Sequence, residues 1–207
     1  MYIPADFDQS DPAAIAELCA ASPLATLVVM TSHGMVANHI PLLAEGDGFI
    51  GHVALANPLH HDVTPDMPAL AIFTAADWYV SPNWYPSKAQ THRAVPTWNY
   101  SAVHVHGTLE FSHAESEKRR VVSKLTTHFE SQTNGAGGWR MGDAPGDFLK
   151  DKLANIVAFR LHVTRIEAKA KLNQNRSHDD VQGVAGEFEK RGNAGLARAM
   201  RTGGQSE

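Results

Sequence analysis

The chain has 207 residues and a mass of 22.5 kDa, enough for one large domain or a domain with an appendage. A chain of this length buries roughly 70% of its extended surface, so neither a disulfide nor a metal is needed to hold it together. The single cysteine, Cys19, excludes a disulfide framework and a cysteine-rich zinc module, and 18 Lys/Arg against 22 Asp/Glu, a net charge of −4, is not the balance of a protein that coats nucleic acid.

No run approaches 18 consecutive apolar residues, and the opening segment Met1–Asp8 lacks the basic stretch and apolar core of a signal peptide. A soluble, cytoplasmic protein with no membrane partner is expected. A first helix is announced by Asp11 as N-cap and Pro12 at the first helical position, with Ile15, Leu18 and Cys19 on one face. That placement gives Cys19 a packing role. Leu24–Thr31 reads as a buried strand, Ser32–Gly34 as a turn and Met35–Leu43 as the hairpin partner. Glu45–Gly48 makes the next turn, into a strand at Phe49–Ala54, and Pro68–Thr74 is another short apolar strand. Val103, Val105, Leu109 and Phe111 alternate with His104, His106, Thr108 and Glu110, and the period of two returns at Val157, Phe159, Leu161 and Val163. Six strands, mostly hairpin-linked, predict an antiparallel barrel or curled sheet.

Between the last two strands, Ser112 and Glu115 suggest a capping box, and Val121, Val122, Leu125 and Phe129 supply a helical stripe. Gly135–Gly146 reads as a glycine-rich loop and Asp147–Leu153 as a short helix. From Lys169 the chain turns polar, and Gly183, Gly186, Gly192 and Gly195 are expected to interrupt any helix. Residues 165–201 carry eight Lys/Arg against five Asp/Glu, a net of +3. The expected organisation is a barrel domain over residues 1–168, with an inserted aromatic loop at 76–101, and a polar, locally basic extension over 169–207.

Gly46-x-Gly48-x-x-Gly51 matches a dinucleotide fingerprint in letters, but its glycines precede a strand where the mechanism needs them to open a helix. Nine of twelve histidines precede residue 114. His104 and His106 share one face of a strand and His60-His61-Asp62 adds potential ligands, yet two imidazoles on a strand fall short of the three or four converging ligands zinc needs, and no metal centre is expected. No nucleophile elbow, Walker loop or His-Glu-x-x-His motif is present.

The most informative stretch is aromatic: three of four tryptophans and three of four tyrosines lie between Trp78 and Tyr100, among Pro82, Pro86 and Pro96. Such density predicts neither an ordinary strand nor a helix. Flat apolar walls with Ser81, Ser87, Lys88, Thr97 and Asn99 as polar tips suit a planar heteroaromatic ligand with an anionic tail; the same loop could equally plug a barrel end with its own rings.

Several long motifs together resemble the PaiB-type FMN-binding negative transcriptional regulators of the flavin split-barrel superfamily, related to pyridoxamine phosphate oxidases. They are Met1-Tyr-x-Pro, Pro23–Leu27 with Gly34 and Ala37–Pro41, Gly51–Ala54, Ala56–Pro58, Ser81–Lys88, Val95–Tyr100 and Lys171–Arg176. The resemblance implies a mostly β fold with peripheral helices (α+β), an FMN-binding split β-barrel, and a homodimer with FMN between subunits. It implies phosphate contacts at Asn38-His39 and Asn57-Pro58, and a flavin ring along the backbone of His52-Val53-Ala54. Ser81, Lys88, Thr97, Trp98 and Asn99 are expected to line the groove, with Lys171 and Gln174 reaching it. Leu55 stands where the family usually carries an arginine, which implies weakened FMN binding through loss of a bidentate phosphate partner. The implied role is negative transcriptional regulation with DNA or a regulatory protein as partner. A small FMN-dependent oxidoreductase or flavin reductase is the alternative and a haem-binding protein a further one. No residue is assigned to catalysis, and enzymatic activity stays open.

Overall fold

The computed structural model describes residues 1–203. Helix α1 (Pro12–Ala21) starts where the sequence places it, with the Asp11 carboxylate accepting from the Ala13 amide. Cys19 is buried, and burial pushes its thiol up to about 12, so it stays a protonated packing group. Eight strands follow, against the six legible in the sequence: β1 (Leu24–Thr31), β2 (Gly34–Pro41), β3 (Leu43–Glu45), β4 (Gly48–Ala54), β5 (Pro68–Thr74), β6 (Trp78–Val80), β7 (Thr97–Ser112) and β8 (Ile156–Lys171). The two extra strands, β3 and β6, are three residues long, too short to show a period of two. The sheet runs β2-β1-β5-β7-β8-β4-β3, with β6 on β7.

The chain divides into two compact units: one of Met1–Ser22, Ile72–His104 and the residues from Ile166 onward, the other of Pro23–Ala71 and Val105–Arg165. In the second unit, β1 and β2 form a hairpin in register from Leu24 opposite Pro41 to Thr31 opposite Gly34. β3 and β4 form another around Gly46, whose positive φ the turn requires. This is why the glycine triplet at 46–51 makes a hairpin and no helix start. β4 pairs with β8 along its whole length, His52 opposite Ala158. Helix α4 (Glu115–Asn134) lays Val121 and Leu125 against Ile50 and Ala158, with Phe129 and Leu43 at the margin. The expected capping box does not form. Ala114 is the N-cap, Ser112 Oγ accepts from the Ala114 amide, and Glu115 pairs with Arg119 at 3.4 Å. The two helices flanking this unit's fold are α2 (Leu59–Asp62) and α5 (Gly146–Ala154).

The first unit overturns two expectations. Trp78–Val80 and Thr97–Tyr100 are ordinary strand: Tyr79 faces Trp98 across β6 and β7, and Pro82, Pro86 and Pro96 fall outside both strands. Between them lies the short helix α3 (Lys88–Thr91). The glycines after Lys169 also fail to break the chain. Helix α6 (His178–Lys190) presents Val181, Val184, Ala185 and Phe188 at helical spacing, and α7 (Ala194–Arg201) presents Leu196, Ala197 and Met200. These pack on Val80, Tyr85, Ala170 and Leu172 to form the unit's core. Gly183 is used for closeness: a Cβ there would lie about 2.5 Å from the Trp84 carbonyl oxygen. Of these four glycines, Gly192, with positive φ, is the one that follows the end of a helix. Of the extension expected at 169–207, residues 204–207 lie outside the described residues.

Candidate functional site

In the second unit, the residues expected to meet a phosphate converge. β2 carries Asn38, and the turn after β4 carries Asn57, whose Nδ2 donates to Asn38 Oδ1 at 2.9 Å. Asn57 Oδ1 accepts from the Leu59 amide at 3.0 Å, so the same side chain also fixes the turn through Pro58 into α2. This leaves Asn38 Nδ2 sequestered from solvent with no acceptor. A sequestered amide donor without a partner costs about 1–3 kcal/mol, a cost an anionic ligand would remove. His39 lies on the exposed side of the same strand, its Nδ1 3.1 Å from Thr26 Oγ1.

β3 pairs with β4 only over Gly48–Ile50, so on that side β4 carries no strand along His52–Ala54 among the described residues. The backbone there is open to a ligand edge. Val53 sends its side chain into the core, while His52 is partly buried and its Nδ1 has no partner. Burial holds the His52 imidazole below its ordinary value of 6.5. The stability this neutral ring contributes is complete above about pH 6.5 and is lost as pH falls below it, because the unfolded chain takes up a proton that the folded chain refuses. His52→Gln is expected to reduce the slope of urea stability between pH 7 and pH 5; an unchanged slope places that acid sensitivity elsewhere.

Leu55, 41% exposed, is held only through its backbone: its amide donates to the Asn155 carbonyl at 2.8 Å and its carbonyl accepts from His60 Nε2 at 3.0 Å.

The first unit brings together a second group. Lys171, near the end of β8, donates to Thr97 Oγ1 and to the Trp98 carbonyl. Burial, then the charges of Lys169 and Arg176, hold its ammonium below the ordinary lysine value. Trp98 stands exposed beside Tyr79, ring centroids 6.3 Å apart. Asn99 points the other way, fully buried, with Nδ2 3.3 Å from Met200 Sδ and Oδ1 without a partner. Gln174 closes the turn after β8, accepting from the Leu172 amide and donating to the Ala170 carbonyl. Ser81 Oγ accepts from the Asn83 amide, and Lys88 Nζ donates to Asn83 Oδ1. Lys88 lines an open cavity of about 480 Å³ with Asn83, Trp84, Tyr85, Pro86, Ala89 and His92.

Sequence reasoning missed Asp180, which holds this second group in place. Its buried carboxylate accepts from the Ser87 amide at 3.0 Å and from Ser87 Oγ at 2.7 Å. The available signal was Ser177 three residues earlier, an N-cap whose Oγ accepts from the Asp180 amide.

A family model described as "Putative FMN-binding domain" matches residues 1–165. Protease synthase and sporulation protein PAI 2 of Bacillus subtilis is 29% identical over 189 residues, 89% of this chain and 87% of the relative. An uncharacterized protein of Aspergillus fumigatus is 31% identical over 142 residues, 61% of this chain and 54% of the relative, so the match spans about half of that protein's length. Among solved structures, the FAD and heme binding protein from Mycobacterium smegmatis superposes with a TM-score of 0.59 at 20% identity, over 84% of this chain and 78% of that one. The last likeness shows a shared fold, the mostly β split barrel with helices. Among the described residues, no helix is long and apolar enough to cross a membrane.

Proposed function

The chain belongs to this FMN-binding-domain family, and from that premise we propose that its flavin is FMN and that the protein is a negative transcriptional regulator, acting as a homodimer with DNA or a regulatory protein as partner. One observation carries the cofactor assignment. Asn57 fixes Asn38 so that an amide donor is left sequestered and unpaired, beside an open strand edge and an unpaired His52 nitrogen. That donor set fits a phosphate and the polar rim of a planar ring system. Asn38 and Asn57 would hold the phosphate, the His52–Ala54 backbone would meet the ring, and bound FMN would supply a reversible two-electron centre. The regulatory part rests on the family resemblance and on the Bacillus relative, whose name refers to protease synthesis and sporulation.

The test is the visible spectrum of purified protein after FMN loading and desalting, with Asn38→Ala in parallel. Retained flavin absorbance in the parent, and roughly tenfold weaker retention in the variant, is the expected result for one lost charge-assisted hydrogen bond. A parent that cannot be loaded overturns the cofactor assignment. For the regulatory part, the loaded protein should retard promoter DNA in a salt-sensitive way or capture a DNA-binding partner.

A further inference from the structure

Outside the flavin-site residues, the second unit holds a cluster of cationic and cationisable groups. His60 and His61 lie on α2 with ring centroids 3.8 Å apart, and His113, in the turn between β7 and α4, approaches His60 edge-on at 5.0 Å. Lys118 sits on the buried stripe of α4, at the spacing of Val121 and Leu125, where an aliphatic side chain would be ordinary. The residue is 7% exposed, but its Nζ is not sequestered from solvent, and it makes no hydrogen bond or ion pair among the described residues. His60 is 8% exposed: Nε2 donates to the Leu55 carbonyl, since a carbonyl only accepts, and Nδ1 is buried with no partner.

The nearby acids do not answer this charge. Glu115 pairs with Arg119, and Glu117 is held by Arg120. Asp62, on α2, makes no side-chain hydrogen bond or ion pair with any of the four groups among the described residues. Basic side chains gathered without a carboxylate among them leave a place where an anion can join.

We infer that His60, His61, His113 and Lys118 form a binding site for a tetrahedral oxyanion, such as the phosphate group of a small ligand, separate from the Asn38–Asn57 site. Lys118 supplies the fixed charge, the His60 and His61 rings supply ring-nitrogen contacts, and the His113 imidazole adds a charge as pH falls. The His113 imidazole, on an exposed residue, is held below 6.5 by partial desolvation against its neighbours and by the charges of His60, Lys118 and His61. A bound dianion reverses those charge effects, so anion binding and proton uptake reinforce one another.

The experiment uses the FMN-loaded full chain and inorganic sulfate, whose charge does not change between pH 6 and pH 8. The His113 ring resonances are followed by NMR against sulfate, with chloride at matched ionic strength as the control. Sulfate should shift His113 saturably, bind roughly tenfold tighter at pH 6 than at pH 8, and lose roughly tenfold in affinity in Lys118→Met. His113→Ala, an exposed position, gives a second variant should Lys118→Met fold poorly; it too should lose affinity, read by thermal shift. A response equal to that of chloride, or undiminished in both variants, overturns the site. Sulfate that displaces FMN overturns its separateness, because the cluster is then the flavin phosphate's own. A protein that takes up no FMN still gives the His113 signal, so failure of the flavin assignment and failure of this one are distinguishable.

Discussion

Leu55→Arg is expected to tighten FMN binding roughly ten- to hundredfold. The side chain at 55 leaves the turn after β4, two residues before Asn57, and is exposed, while its backbone is anchored at both ends by Asn155 and His60. Replacing it therefore leaves the turn as it stands. A guanidinium there gains a charge-assisted contact to the phosphate, contributing roughly 1.5–3 kcal/mol in all, which converts to the stated range. Quenching of FMN fluorescence on titration measures the change. An unaltered dissociation constant would mean that the turn does not face the phosphate, and would take Asn57 out of the site with it.

Phe188→Ala should be the most destabilising single substitution in the first unit. The ring is fully buried between Trp84, centroids 5.7 Å apart, and Trp78 at 6.5 Å, and it seats α6 on the core formed with Tyr85 and Leu172. Truncating a buried phenylalanine costs about 3–5 kcal/mol through lost burial and the cavity left behind. Trp78, Trp84 and Trp98 all belong to this unit, so tryptophan fluorescence during urea unfolding reads it directly. The midpoint should fall by well over 1 M, given a urea slope of roughly 1–3 kcal/mol per M. A near-parental midpoint would show that the C-terminal helices do not depend on this ring.

The two substitutions probe features of different legibility. Leu55 stood out in the sequence because it interrupts a motif, and Asn57 and Asn38 were expected near a phosphate; their mutual hydrogen bond was not, since it joins positions 19 residues apart. Phe188 and Asp180 lay in a segment read as a polar extension. Their apolar and polar partners, Trp84 and Ser87, are nearly a hundred residues upstream. Likewise Asn99 was expected to line a groove, and the structure buries it against Met200.

Short-range physics was legible in the residues alone. Asp11 and Pro12 start α1, the Gly34 and Gly46 turns make hairpins, an apolar run marks β1, and alternation marks β7 and β8. The long motifs of the sequence also identified the family. Which polar groups end up dry depends on the packed fold. His60 and His52, each with one ring nitrogen unpaired, and Asn38 with an idle donor are products of packing between distant segments. Burial is a sum over neighbours that no local pattern contains, so these unsatisfied groups could not be found from the sequence.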